Sequence, residues 1–192
     1  MSTGARIERP TRIPVGVTRS GDGIFSGTGP ITVEAYIDFL CPFCRQFEQR
    51  TGPALDRLVA DGLITLVNHP VGFLDRVSTT AYSSRASAAS GCASDGGRFD
   101  QYAKALFANQ PPEGGPGLSD AELIGLGQAV GLDASFGRCV AAHVYLPWTA
   151  YVTARAIERG VSGTPSVFVQ GVPVPAEGRP ILAAVQAAAT PG

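Results

Sequence analysis

The chain of 192 residues has one methionine, one tryptophan, two histidines and few charges: 16% of its residues, with a formal net charge of −1. With no basic stripe, it lacks the electrostatic footprint of a nucleic-acid binder, and nucleic acid is set aside as a partner. No apolar run approaches the ~20 residues that span a bilayer, so no membrane span is expected. Residues Met1 to Arg6 lack the apolar core of a secretory signal. The expected compartment is cytoplasmic if Met1 is the native start, and extracytoplasmic if a leader or anchor was removed. No internal repeat or low-complexity tract is present. The length suits one good core and is short for two independent domains.

Cysteine is sparse but informative. The four are Cys41, Cys44, Cys92 and Cys139. An even number permits two disulfides, yet a chain of this size does not need them to fold, which points to chemistry. Cys41-Pro42-Phe43-Cys44 follows an apolar, alternating run from Ile31 to Ile37 that reads as a strand. It opens a segment with Phe43, Phe47, Leu55, Leu58 and Val59 on one helical face. At such a junction the helix dipole and backbone N–H groups face the first sulfur and lower its pKa. Pro42 fits the first helical turn, which tolerates a residue without an N–H. Cys41 is therefore the expected nucleophile and Cys44 the resolving thiol one turn away. Zinc sites use the same spacing, but no second Cys-x-x-Cys exists here, so no metal is assigned.

The block Val33 to Cys44, together with Gly163-Thr164-Pro165 far downstream, resembles the DsbA-type thioredoxin-fold proteins, more narrowly their actinobacterial, BdbD/DsbG-like branch. The resemblance spans roughly residues 30 to 190. It implies an α/β thioredoxin fold with an inserted helical subdomain, thiol–disulfide oxidoreductase activity and no cofactor. Its partners would be cysteine-containing protein substrates and a separate redox partner, and a monomer is expected. It also implies a cis Thr164–Pro165 bond beside the cysteines, with Thr164 offering its backbone to a substrate peptide. Pro42 and Phe43 join these two on the substrate face.

The family often places a buried acid six residues before the first cysteine; here that position is Ala35. Asp38, three before Cys41, matches an acid common in this branch and is the candidate proton relay. Glu34 is the weaker candidate. Phenylalanine before the second cysteine cannot donate a hydrogen bond as a histidine would, so the thiolate is expected to rely on the helix end and backbone N–H groups. The resemblance offers a second, structural disulfide between Cys92 and Cys139, as some relatives have; two free buried thiols are the alternative. His69 and His143 read as structural or surface residues, and Trp148 and Tyr151 as core.

Along the chain, residues 1–30 form an N-terminal extension, with a short strand at Ile13 to Val17 or near Ile24. Residues 31–74 and 161–192 form the thioredoxin-like domain, and residues 75–160 the helical subdomain. Gly52-Pro53 should kink or split the active-site helix. Leu63 to Asn68 reads as a strand buried on both faces and parallel to Ile31–Asp38. Helices follow at Ser78–Ala93, Phe99–Ala108, from Ser119, around Ala134–Ala142 and from Pro147 to Gly160. Ser119 and Glu122 form a capping box. A hairpin around Gln170-Gly171 and a helix from Pro180 close the chain. The rival readings are a non-catalytic thioredoxin-like peptide-binding module, a four-cysteine metal protein, and a glutathione-using isomerase that would have no need of Cys44.

Overall fold

The computed structural model describes residues 7–190; the leader reading at Met1 to Arg6 lies outside them. In chain order the elements are β1 (Ile24–Ser26), β2 (Ile31–Ile37), α1 (Pro42–Ala60), β3 (Ile64–Pro70), a 3-10 turn (Asp75–Val77), α2 (Tyr82–Asp95), α3 (Phe99–Ala108) and α4 (Asp120–Ala129). Then come α5 (Ala134–Ala141), α6 (Leu146–Glu158), β4 (Ser166–Val169), β5 (Val172–Val174) and α7 (Gly178–Ala189).

One sheet carries all five strands in the order β1-β3-β2-β4-β5. β2 and β3 are parallel, with Val33 opposite Leu66 and Tyr36 opposite His69. β4 runs antiparallel to β2, placing Ser166 beside Tyr36. Strand alternation sends Ile31, Val33, Ala35 and Ile37 to the face covered by α1 and α7, while Glu34 and Tyr36 face α6. Both faces are covered, and β3 is largely buried as a two-sided strand must be. This is the α/β thioredoxin fold, with five helices between β3 and β4. Of the two positions considered for an early strand, Ile24 is in one; Val17 makes a single bridge to it.

Pro53 neither splits nor ends α1, which runs unbroken over 19 residues. Part of the clash that disfavours helix before proline involves the preceding Cβ, and the preceding residue is Gly52, which has none; Pro53 still supplies no N–H to Gln49 O. The Glu48 carboxylate fills that space, 2.6 Å from where a Cβ would stand. α2 starts four residues later than the pattern suggests, because Asp75–Val77 forms a 3-10 turn and Ala81 takes a left-handed conformation (φ 51°) at the cap. Ser119 and Glu122 do cap α4 reciprocally, and Gly160, at φ 86°, follows the end of α6.

α2 is the hub of the helical layer. Its small residues (Ala86, Ala89, Ser83, Ser87 and Ser90 among them) are buried and let α3, α5 and α6 approach closely. The serine hydroxyls are partnered: Ser87 donates to Pro70 O (2.8 Å) and receives Thr149 Oγ1 (2.9 Å). Trp148 and Tyr151 are buried on α6 and donate to Gly21 O and Ser20 O, each at 2.8 Å, which ties the N-terminal segment down. Cys92 of α2 and Cys139 of α5 are joined by a disulfide across 47 residues of chain.

A cross-link closing a loop of that length constrains the unfolded chain, by about 3–4 kcal/mol in the chain-entropy account. Cys139→Ser should lower unfolding free energy by an amount of that order, read by urea denaturation of air-purified protein. A change below about 0.5 kcal/mol would show that the bridge adds no constraint.

Candidate active site

The site is built where β2 ends. Four residues, Asp38 to Cys41, turn the chain from β2 into α1, with Cys41 N–H donating to Asp38 O (3.0 Å). Cys41 is the N-cap, and no side chain caps the helix. Its free N–H groups therefore face the sulfur. Both cysteines are reduced and buried, and Cys44 has no exposure at all.

The two sulfurs are driven in opposite directions. The Cys41 thiol is lowered to about 6, first by a hydrogen bond from the Cys44 thiol, then by the Thr164 side chain and by the backbone N–H groups of Cys44 and Phe43. Burial opposes these without winning. Cys44 is pushed well above the ordinary thiol range, by burial first and by the neighbouring Cys41 second. The sequence pointed only to the helix end and backbone N–H groups. The thiol one turn away is the larger contributor, and Thr164, expected only on the substrate face, is also a partner of the sulfur.

Thr164 reaches the site from the loop after α6. The protonated Cys41 thiol donates to Thr164 O at 3.4 Å, across 123 residues of sequence. The Thr164–Pro165 bond is cis. Thr164 and Pro165 line one side of an open cleft of about 530 Å³, with Phe43, Phe47, Arg50 and Thr51 from α1 and Ala176 to Gly178 at the start of α7. Phe43 is 67% exposed at its mouth. Pro42 is exposed beside it. Cys92 and Cys139 are not part of this constellation; they sit in the helical layer.

Asp38 is fully buried. Its carboxylate accepts from Leu40 N (2.9 Å), Leu74 N (2.9 Å) and Ser83 Oγ (2.7 Å), and its own N–H points at Cys44 Sγ (3.5 Å). Burial raises its pKa to about 6, against the lowering effect of those donors. Glu34 lies on the same sheet face and serves elsewhere. Arg159 Nη1 and Nη2 bind its two oxygens (2.5 and 2.8 Å), Nη1 also donates to Tyr36 Oη (2.9 Å), and the guanidinium lies 4.1 Å from the Phe168 ring centre. Burial raises the Glu34 pKa, but His69 and Arg159 outweigh it and bring it to about 2. The clamp fixes the end of α6, from which the Thr164 loop departs. His69 is buried, stacked on Tyr36 at 4.2 Å, with Nδ1 on Asp22 O; His143 pairs with Asp120.

Sequence reasoning missed Ser83, Arg159 and Gln110. Gln110 Nε2 donates to Phe39 O (3.0 Å) and Cys41 O (2.9 Å). Nothing in a Pro- and Gly-rich loop 69 residues downstream signals such a contact. Among the described residues, no group of three or more His, Cys, Asp or Glu is placed to hold a metal.

A family profile described as Thioredoxin matches residues 26–181. The chain is similar to oxidised DsbA of Mycobacterium tuberculosis: 32% identity, 79% of this chain and 84% of that one, TM-score 0.71. It is likewise similar to the reduced disulfide bond oxidoreductase DsbG of the same organism, at 30% identity, 88% of each chain and TM-score 0.78. Among curated proteins it is 32% identical over 160 residues to the serine/threonine-protein kinase PknE of M. tuberculosis; the match takes in 77% of this chain and spans 28% of that protein's length.

The raised Asp38 pKa has a testable sign. Its folded value, about 6, exceeds the ordinary 3.8, so the folded state binds the extra proton between the two and this group's contribution to stability falls as pH rises through that window. Glu34 acts oppositely below its ordinary 4.5: its contribution is lost as pH falls toward 2. In urea denaturation of reduced protein, wild type should lose stability relative to Asp38→Asn from about pH 4 to pH 6, and no further above pH 7. A flat difference would show that Asp38 ionises normally in the fold.

Proposed function

As a member of the thioredoxin family, in its DsbA-like group of thiol–disulfide oxidoreductases, this chain, we propose, exchanges disulfides with cysteine-containing protein substrates through Cys41 and Cys44, running chiefly toward substrate oxidation. The observation that carries the reading is the placement of the two thiols: Cys41 at the start of α1 with the helix N–H groups turned to it, and Cys44 fully buried one turn in, which drives the first pKa down to about 6 and the second well up. A thiol of low pKa leaves readily and is ionised at neutral pH, whereas its partner keeps its proton until the reaction needs it.

In the oxidising direction a substrate thiolate attacks Cys41 Sγ of the Cys41–Cys44 disulfide. The bond between the two enzyme sulfurs breaks, and its electron pair leaves on Cys44, which takes up a proton. A second substrate thiolate then attacks the substrate sulfur of the mixed disulfide. The substrate gains its disulfide and Cys41 departs as a stabilised thiolate, so two electrons pass to the enzyme. Asp38 is the proposed proton partner: its N–H touches Cys44 Sγ, and its carboxyl titrates near Cys41. A separate redox partner restores the disulfide.

Thr164 and Pro165 are proposed to receive the substrate backbone beside Cys41, with Phe43 and Pro42 forming the exposed lip. An extended segment laid in the adjacent cleft brings its cysteine to the buried sulfur, and an apolar lip favours unfolded chains over folded ones.

Three measurements test this. Alkylation of reduced protein, mapped by mass, should label Cys41 first with a midpoint near pH 6, and Cys44→Ala should accumulate mixed disulfides at Cys41. First labelling of Cys44 would reverse the roles. The depressed Cys41 pKa also stabilises the reduced fold as pH rises from about 6 to 9, its ordinary value, and that stabilisation is lost on descending through 6. The stability of reduced relative to oxidised protein should therefore grow across that window. A constant gap would rule out a thiolate-stabilising site.

A further inference from the structure

We propose that Gln110 is a positioning residue for Cys41: its side-chain amide holds the backbone around the sulfur in the arrangement that stabilises the thiolate. The amide nitrogen bridges two carbonyls of the β2–α1 turn, Phe39 O and Cys41 O. Both partners are acceptors, so only the donor end of the amide fits. Cys41 O already receives the first helical N–H groups, from Cys44 (3.1 Å) and Arg45 (3.2 Å). A third donor draws electron density out of a peptide group that adjoins the sulfur. Phe39 is fully buried, and among the described residues its carbonyl has no other bonded partner outside regular elements. Without Gln110 two negative carbonyl ends stay near a forming thiolate, and the turn that aims the Phe43 and Cys44 N–H groups loses its brace.

A donor positions only if it is itself fixed. The segment from Asn109 to Leu118 has three prolines and three glycines and reads as a loop, yet its later part, Gly114 to Leu118, is tied down. Gly114 N donates to Val77 O (2.7 Å), Thr79 N to Gly115 O (3.0 Å) and Thr80 Oγ1 to Pro116 O (2.5 Å). Arg85 Nη2 reaches Pro116 O (3.2 Å) and Leu118 O (2.8 Å). Just before the loop, the Phe107 ring packs on Phe39 at 5.1 Å. The helical layer thus supplies a preorganised donor that the sheet and α1 do not contain.

The inference rests on Cys41 being the attacking thiol, which alkylation mapping of the wild type checks separately. Gln110→Met keeps the length and removes the donors; Gln110→Glu puts a charge in their place. In reduced protein the Cys41 alkylation midpoint should rise by roughly 0.5 pH unit or more in Gln110→Met, and further in Gln110→Glu. Equilibration with glutathione should shift toward the disulfide form in both. If Gln110→Met does not fold, Gln110→Asn, too short to bridge both carbonyls, should show the same shift. Midpoints and glutathione equilibria equal to wild type, with only the melting temperature lowered, would make Gln110 merely structural and overturn the proposal. Wild-type labelling at Cys44 first would instead overturn the assignment on which it rests.

Discussion

A buried carboxylate with no cation beside it among the described residues must find donors, and Asp38 finds them in three separate parts of the chain. Leu40 belongs to the turn into α1, Leu74 to the segment after β3, and Ser83 to α2. Three hydrogen bonds to a charged group inside the protein are strong bonds, and leaving any donor unmade is costly. One side chain therefore joins the helical layer to the end of β2 at the point where Cys41 is carried, beside other links such as Ser87 to Pro70 O.

Once that junction is set, the difference between the cysteines follows from depth. Cys41 stands at the helix start, with N–H groups, a neighbouring thiol and Thr164 turned toward it; Cys44 is one turn further in, where burial dominates. No charged residue acts as principal cause in either case. The polarity comes from the helix end and from short-range donors, which suits a chain so poor in charge. The bidentate ion pair of Glu34 with Arg159 works at a distance. It secures the end of α6 so that the loop leaving it meets Cys41.

What was legible in the sequence was local. The alternation of Ile31 to Ile37, the Cys-x-x-Cys after it, the Ser119–Glu122 box and the Gly160 stop are short-range patterns with short-range causes, and each is found in the fold. The resemblance of two separated motifs to a family supplied the long-range step, linking Thr164-Pro165 with Cys41. Missing were contacts set only by the packing of distant segments: Ser83 on Asp38, Arg159 on Glu34, Gln110 on the active-site carbonyls. No periodicity encodes these, because each is a single polar residue whose partner is fixed by the whole tertiary arrangement. Pro53 is the reverse case. The split that a strong local rule allowed is absent, and Gly52 before it removes part of the proline's clash with the preceding residue.

The position of Thr164 also bears on how the protein is made. Cys41 leaves the ribosome 123 residues before the partner it meets at Thr164, an interval on the order of ten seconds at about 5–20 residues per second. β2 likewise waits for β4, which pairs with it from the far side of the helical layer. During that interval β2, α1 and β3 exist without the strand and loop that finish the site, and Cys41 lacks part of the environment that lowers its pKa. The growing chain thus carries its redox pair as more ordinary thiols, and the full reactivity of Cys41 arrives only once Thr164 and β4 have been made.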